Sequence, residues 1–165
     1  MSDNNIEYLI TTLQQRAELF TKLNKNPNLL YKSVDGLVLA YGQPFTKQIT
    51  SPFKGEPKSC CQNCYQALYD FPELSYCEGF AMNNNIGIPI IHAWLVNKNL
   101  EVIDPTWTGE KFQNCTYFGV VLTEDFVLEM TEKTERYGIL ESDYLMDYQL
   151  QRQGFPPHAL KTFKG

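Results

Sequence analysis

A chain of 165 residues, 43% of them hydrophobic, is long enough to bury one core and short for two, so residues 1–165 are expected to form a single domain. Its 19 acidic and 14 basic residues give a net charge of −5 at pH 7, and the Lys and Arg are scattered; this argues against nucleic-acid partners, which call for clustered cations. No stretch approaches the roughly 18 apolar residues of a membrane helix, so no membrane partner is expected.

The opening residues, Met1 to Glu7, lack the positive charge and apolar run of a secretory signal. Five cysteines are an odd number, and Cys60 and Cys61 are adjacent, so the pattern predicts free thiols in a reducing, cytoplasmic compartment rather than a disulfide framework. Export without a signal would leave the same pattern.

Ile6, Leu9, Ile10, Leu13, Ala17, Phe20 and Leu23 recur at intervals of three and four, which predicts an amphipathic helix ending between Asn24 and Pro27. Residues 36–42, an apolar run between two glycines, read as a buried strand. Residues 43–58, with Pro44, Pro52, Gly55 and Pro57, read as a long irregular loop, a length that is often functional in compact domains. A helix is expected to begin near Ser59, carry Cys60, Cys64, Ala67, Leu68 and Phe71 at helical spacing, and stop at Pro72. Strands are expected over 75–81, 88–96, 100–104 and 116–122. Thr123 reads as the N-cap of a helix reaching about Arg136, and Ser142 as the start of another reaching about Gln151. Helices before and after a block of strands predict an α+β fold: an antiparallel sheet with the Cys helix packed on it and flanking N- and C-terminal helices.

Within that block, residues 88–96 and 100–104 are rich in strand formers and are joined by the polar Asn97, Lys98 and Asn99, which reads as a hairpin. A three-residue loop with Asn99 in the left-handed conformation would pair Val96 with Leu100, Trp94 with Val102 and His92 with Asp104. Directly opposed side chains start roughly 4.5–5.5 Å apart at Cβ, within reach of an imidazole–carboxylate hydrogen bond. A one-residue slip would put the two on opposite faces.

Upstream, Cys60 would occupy the first turn of its helix, where unpaired N–H groups and the dipole favour thiolate and a neighbouring imidazolium favours it further. The same N–H groups suit a developing oxyanion. Cys61 is rotated from Cys60 by about 100°, and Cys64, one turn on, lies deeper along the helix; Cys60 is the first candidate, ahead of Cys61 and then Cys64. A thiol, an imidazole and a carboxylate are the parts of a covalent acyl-transfer site: nucleophile, base and then acid, and orienting group.

The strings Cys60-Cys61-Gln62-Asn63-Cys64, Tyr76-Cys77-Glu78-Gly79-Phe80, Ile88-Pro89-Ile90-Ile91-His92-Ala93-Trp94 and Val102-Ile103-Asp104-Pro105-Thr106-Trp107, with Tyr117-Phe118-Gly119-Val120, resemble the transglutaminase-like branch of the papain-like thiol enzymes over roughly residues 58–122. That family starts a helix with its Cys, packs the helix on an antiparallel sheet, and sets His and Asp on neighbouring strands. The resemblance implies Cys60 as nucleophile, His92 as general base and acid, and Asp104 as orienting carboxylate. Two departures are present: Lys58-Ser59 stand where a Gly commonly precedes the nucleophile, and Cys61 stands where an aromatic or charged residue is more usual. Papain-like enzymes often use a Gln upstream of the Cys as oxyanion donor, a place that Gln43 or Gln48 fills by position alone.

The function expected is a cysteine hydrolase or acyltransferase acting on a carboxamide: peptide or isopeptide hydrolysis, glutamine deamidation, or transfer to an amine, all through a thioester. Its partner would be a protein or peptide with a reactive carboxamide, and the acidic surface would steer a basic one. No cofactor or metal is expected. The alternatives are a non-catalytic protein-binding module on the same fold, or a zinc-binding domain built on the Cys61-x-x-Cys64 spacing with Cys77, His92 or Cys115, which lacks a second closely spaced pair. An enzyme requires a Cys sulfur within reach of His92 and a cleft that opens on it.

Overall fold

The apolar repeat at the start of the chain folds as helix α1, Ser2–Leu23, in a computed structural model that describes residues 2–163. Its Leu9 and Leu13 are fully buried. Residues 36–42 are expected as a strand, but 36–41 lie in helix α2, Val34–Tyr41, and Gly42 is its C-cap. The Ser33 hydroxyl caps this helix by accepting the N–H of Gly36 at 3.0 Å. An unbroken apolar run has no period to separate a buried strand from a buried helix, and Leu37, Leu39 and Ala40 are good helix formers.

Six strands, β1 (Gln43–Phe45), β2 (Gln48–Ile49), β3 (Ser75–Asn83), β4 (Ile90–Val96), β5 (Val102–Ile103) and β6 (Cys115–Leu122), form one sheet in the order β1-β6-β3-β4-β5-β2. The α+β class holds, but the sheet is mixed rather than purely antiparallel, because β2 runs parallel to β5. The cause lies in the segment expected to be irregular: its first residues supply both β1 and β2, one for each outer edge of the sheet. Only Thr46 and Lys47 separate these strands. Three peptide steps, about 11 Å at full extension, therefore join the two edges, and the sheet curls into a nearly closed barrel.

Helix α3, Cys60–Asp70, starts and stops where the sequence places it and packs against β4 and β3. Helix α4, Glu124–Thr134, is capped by the Thr123 hydroxyl, as expected. The expected helix from Ser142 is broken in two: a 3-10 turn, Asp143–Met146, then α5, Gln149–Gln153. Between them Asp147 and Tyr148 adopt positive φ. The Asp143 carboxylate accepts the N–H groups of Leu150 and Gln151 at 2.9 and 3.2 Å, which folds the segment back on itself. Among the described residues no helix is long and apolar enough to cross a membrane.

The two faces of the sheet bury different clusters. Tyr76, Phe80, Ala93, Leu95, Phe118 and Val120 join the larger core with residues of α1–α4, whereas Phe45, Cys77, Trp94, Val96, Val102 and Tyr117 form a smaller second cluster. Strand alternation puts His92 on the face of Trp94 and Val96, and Asp104 on that of Val102. At the centre, Gly79 pairs with Gly119. A Cβ on Gly119 would lie 2.4 Å from the Glu78 carbonyl oxygen and 2.7 Å from the Trp94 ring, so β3 and β6 cross there only because both residues are glycine. Gly119→Ala should therefore cost at least about 2 kcal/mol of unfolding free energy, read from urea denaturation; a loss within 0.5 kcal/mol (roughly the effect of a neutral surface change) would contradict this packing.

Candidate active site

The β4–β5 hairpin brings His92 and Asp104 together, in a register different from the expected one. Asn97, not Val96, closes the loop: its N–H meets the Glu101 carbonyl, and Leu100, not Asn99, takes the left-handed conformation. Val96 pairs with Val102 and Leu95 with Ile103, a shift of two residues from the expected Val96–Leu100 and Trp94–Val102 pairs. The Asn97 side chain drives this shift, since its Oδ1 accepts the N–H groups of both Asn99 and Glu101. A shift of two preserves the face. His92 thus reaches Asp104 diagonally, with Nε2 and Oδ2 2.8 Å apart.

Both residues are almost fully buried, each 2% exposed. Every Asp104 lone-pair direction in the plane finds a donor: Oδ1 accepts the N–H groups of Thr106 and Trp107, both at 3.0 Å, and Oδ2 accepts the Tyr117 hydroxyl at 2.7 Å besides His92. A carboxylate accepts only, so Nε2 carries the proton and Nδ1 is the nitrogen left for the thiol. The Trp107 ring stacks on the imidazole at 4.2 Å between centroids and fixes its plane. Burial pushes the imidazole toward neutrality, but the charge and hydrogen bond of Asp104, with help from Cys60, outweigh it and raise His92 to about 9.

Cys60 is the first residue of α3, as expected. The Ser59 side chain makes no capping hydrogen bond, which leaves the first N–H groups of the helix free of it. Lys58 holds φ at 62°, a conformation that glycine adopts without strain. The Cys60 thiol is lowered to about 4, first by its hydrogen bond with Cys61 and then, against burial, by the hydrogen bond and charge of His92 and the N–H of Ala93. The other four thiols move the opposite way. Burial leads the rise at Cys64, Cys77 and Cys115, and the hydrogen bond to Cys60 leads it at Cys61.

Asn63, one turn into α3, ties the site to its surroundings. Its Oδ1 accepts the N–H of Glu56 at 3.1 Å, and its Nδ2 donates to the Glu56 carbonyl at 2.9 Å and to Thr106 Oγ1 at 2.8 Å. Gly55 is obligatory beneath it, because a Cβ there would fall 2.2 Å from the Asn63 amide. The loop before α3, the helix start and the Asp104 turn are thereby one rigid unit.

Tyr117, Trp107 and Asn63 belong to the site, although the sequence strings that contain them assign them no role. Tyr117 had a legible signal, since it lies at an alternate position of β6 on the same face as the pair; Trp107 and Asn63 depend on contacts between distant segments. Gln43 lies on β1 and Gln48 on β2, both exposed, and only Gln48 lines the open groove of about 680 Å³ between residues 48–54 and 107–113. That groove reaches the site from the side of Asp104 and Trp107, while Cys60, half-buried, does not line it. Among the described residues no three His, Cys, Asp or Glu side chains gather into a group that could hold a metal ion, so the Cys61-x-x-Cys64 spacing has no completing ligands there.

Replacing Asp104 with Asn should keep the fold and weaken the upward pull on His92, because the hydrogen bond and charge of Cys60 then oppose burial without the carboxylate. The imidazole should titrate clearly below about 9, as read by nitrogen-detected NMR of the histidine ring. A His92 titration unmoved by Asp104→Asn would contradict the electrostatic role given to this carboxylate. Comparisons with family models, with curated proteins and with solved structures find no match for this chain.

Proposed function

We propose that this protein is a cysteine-dependent acyl-transfer enzyme of transglutaminase-like type, acting on a carboxamide of a protein or peptide through Cys60, His92 and Asp104. The observation that carries the reading is the convergence of a buried His92–Asp104 hydrogen bond of 2.8 Å with Cys60 in the first turn of α3, and in keeping with it Cys60 alone among the thiols is pulled down, to about 4, while His92 is pulled up, to about 9. A thiolate and an imidazolium in contact are the resting state such chemistry needs.

In the first half-reaction the Cys60 thiolate attacks the carbonyl carbon, and the carbonyl electron pair moves onto oxygen, where the N–H groups opening α3 are available to it. Collapse of this intermediate breaks the C–N bond, and Nδ1 of His92 gives its proton to the leaving nitrogen. A thioester on Cys60 results. In the second half-reaction neutral His92 takes a proton from water or an amine as it attacks the thioester, and the thiolate–imidazolium pair returns. Water gives hydrolysis or deamidation, and an amine gives transfer. Asp104 keeps Nε2 protonated and the ring in place throughout. The open groove beside Asp104 and Trp107, with Phe53, Lys54 and Phe112 among its walls, would hold a peptide chain beyond the reacting carboxamide, since Cys60 does not line it.

The test is turnover of glutamine-containing peptides, followed as ammonia release and as incorporation of an added primary amine. Cys60→Ala should abolish turnover, and Asp104→Asn should lower kcat by about 10²- to 10⁴-fold while leaving a measurable residue; circular dichroism checks folding. Full turnover in Cys60→Ala would contradict the assignment. kcat/KM should form a plateau between about 4 and about 9. The acid limb falls as the thiolate gains a proton, and the alkaline limb falls as the imidazolium loses the proton owed to the leaving group. An optimum confined above pH 9 would contradict the ion pair.

A further inference from the structure

We propose that Cys61 is a positioning residue for the nucleophile, held by Tyr76 and by the loop that Glu78 clamps, so that its S–H donates to the Cys60 thiolate. The inference rests on the reading of Cys60 as the nucleophile. Adjacent side chains on a helix diverge by about 100° and do not normally face each other. Here the two sulfurs nevertheless lie 4.0 Å apart, with Cys61 buried at 9% exposure and Cys60 half-buried.

The turn of the Cys61 side chain toward Cys60 has a structural cause on each side. On one side stands Tyr76 of β3, close to Cys61 and fixed by donating its hydroxyl to Glu78 Oε2 at 2.5 Å. On the other is the loop after α4. Glu78, fully buried, accepts the N–H groups of Ile139 and Leu140 at 2.7 and 2.9 Å, which fixes this loop against β3. Gly138, at φ 94°, is the point of contact: a Cβ there would lie 3.2 Å from Cys61 Sγ. Glu78 belongs to the string Tyr76-Cys77-Glu78-Gly79-Phe80, and this clamp is what a fully buried carboxyl on a sheet strand accomplishes.

The direction of the bond follows from the surroundings. Titratable groups facing the pair are Cys64 on the same helix, Tyr76 and Glu78 on β3, His92 on β4 and Glu141 on the loop after α4. His92 is the one cation among these groups, and its hydrogen bond goes to Cys60. Cys61 faces burial and the Glu78 carboxyl and is pushed far up, so it keeps its proton and acts as donor. Its proton does not move in the reaction.

The experiment measures the rate of Cys60 alkylation by iodoacetamide against pH, with the modified residue identified by mass spectrometry. The unaltered protein should give a midpoint far below that of an ordinary thiol. Cys61→Ala and Cys61→Val both remove the donor, one leaving space and one filling it, and either that folds should raise the midpoint by about one pH unit or more. Cys61→Ser, which restores a donor, should bring it back toward the original value. An unchanged midpoint in the Ala or Val variant, with the low value retained, overturns the role of Cys61 and leaves the nucleophile assignment standing. An ordinary thiol midpoint in the unaltered protein overturns both.

Discussion

The hydrogen bond between His92 and Asp104 is the constraint around which this molecule is arranged. Burying an imidazole and a carboxylate costs several kcal/mol per ion unless their remaining valences are satisfied. The chain satisfies them from three separate segments: two N–H groups of the Asp104 turn, the Tyr117 hydroxyl from β6, and the Cys60 thiol from α3. Trp107 closes the imidazole face against water. The curl of the sheet, set by the short connection between its two edge strands, belongs to the same arrangement, because a flat sheet would not bring the Asp104 turn, β6 and the helix start around one imidazole.

Five cysteines with one ordinary chemistry acquire two different characters from placement alone. Cys64 and Cys77, fully buried among apolar side chains, are held as neutral packing groups. Cys60 stands at a helix start that its cap residue leaves unsatisfied, against an imidazolium and a second thiol. The surroundings of Cys60 come from three elements, and each neighbour is itself pinned: His92 by Asp104 and Trp107, Cys61 by Tyr76 and Gly138, and the loop before the helix by Asn63.

The local signals in the sequence carried well. The Thr123 cap, the Pro72 stop of α3 and the runs of strand formers concern interactions over a few residues, and their physics is contained in those residues. The hairpin shows where such reading stops. The three-residue loop was right in kind and displaced by one residue, because the Asn97 side chain captures two N–H groups and moves the left-handed position to Leu100. The error left His92 and Asp104 on one face only because it changed the register by an even number. The strand read over residues 36–42 failed because an unbroken apolar run has no period to read. β1 and β2 were invisible for a different reason: strands of three and two residues are made by the sheet edges that receive them. Asn63, Glu78 and Trp107 act through partners far away in the chain, and nothing local announces them.

The central claim is that one thiol of five exists as thiolate because of where the fold puts it. Brief exposure of the unaltered protein to iodoacetamide at pH 6, with peptide mass spectrometry across all the cysteines, tests it directly. Rapid modification of Cys60 is expected, with Cys61, Cys64, Cys77 and Cys115 left free. Modification led by the half-buried Cys115, or slow and equal at every accessible thiol, would contradict it.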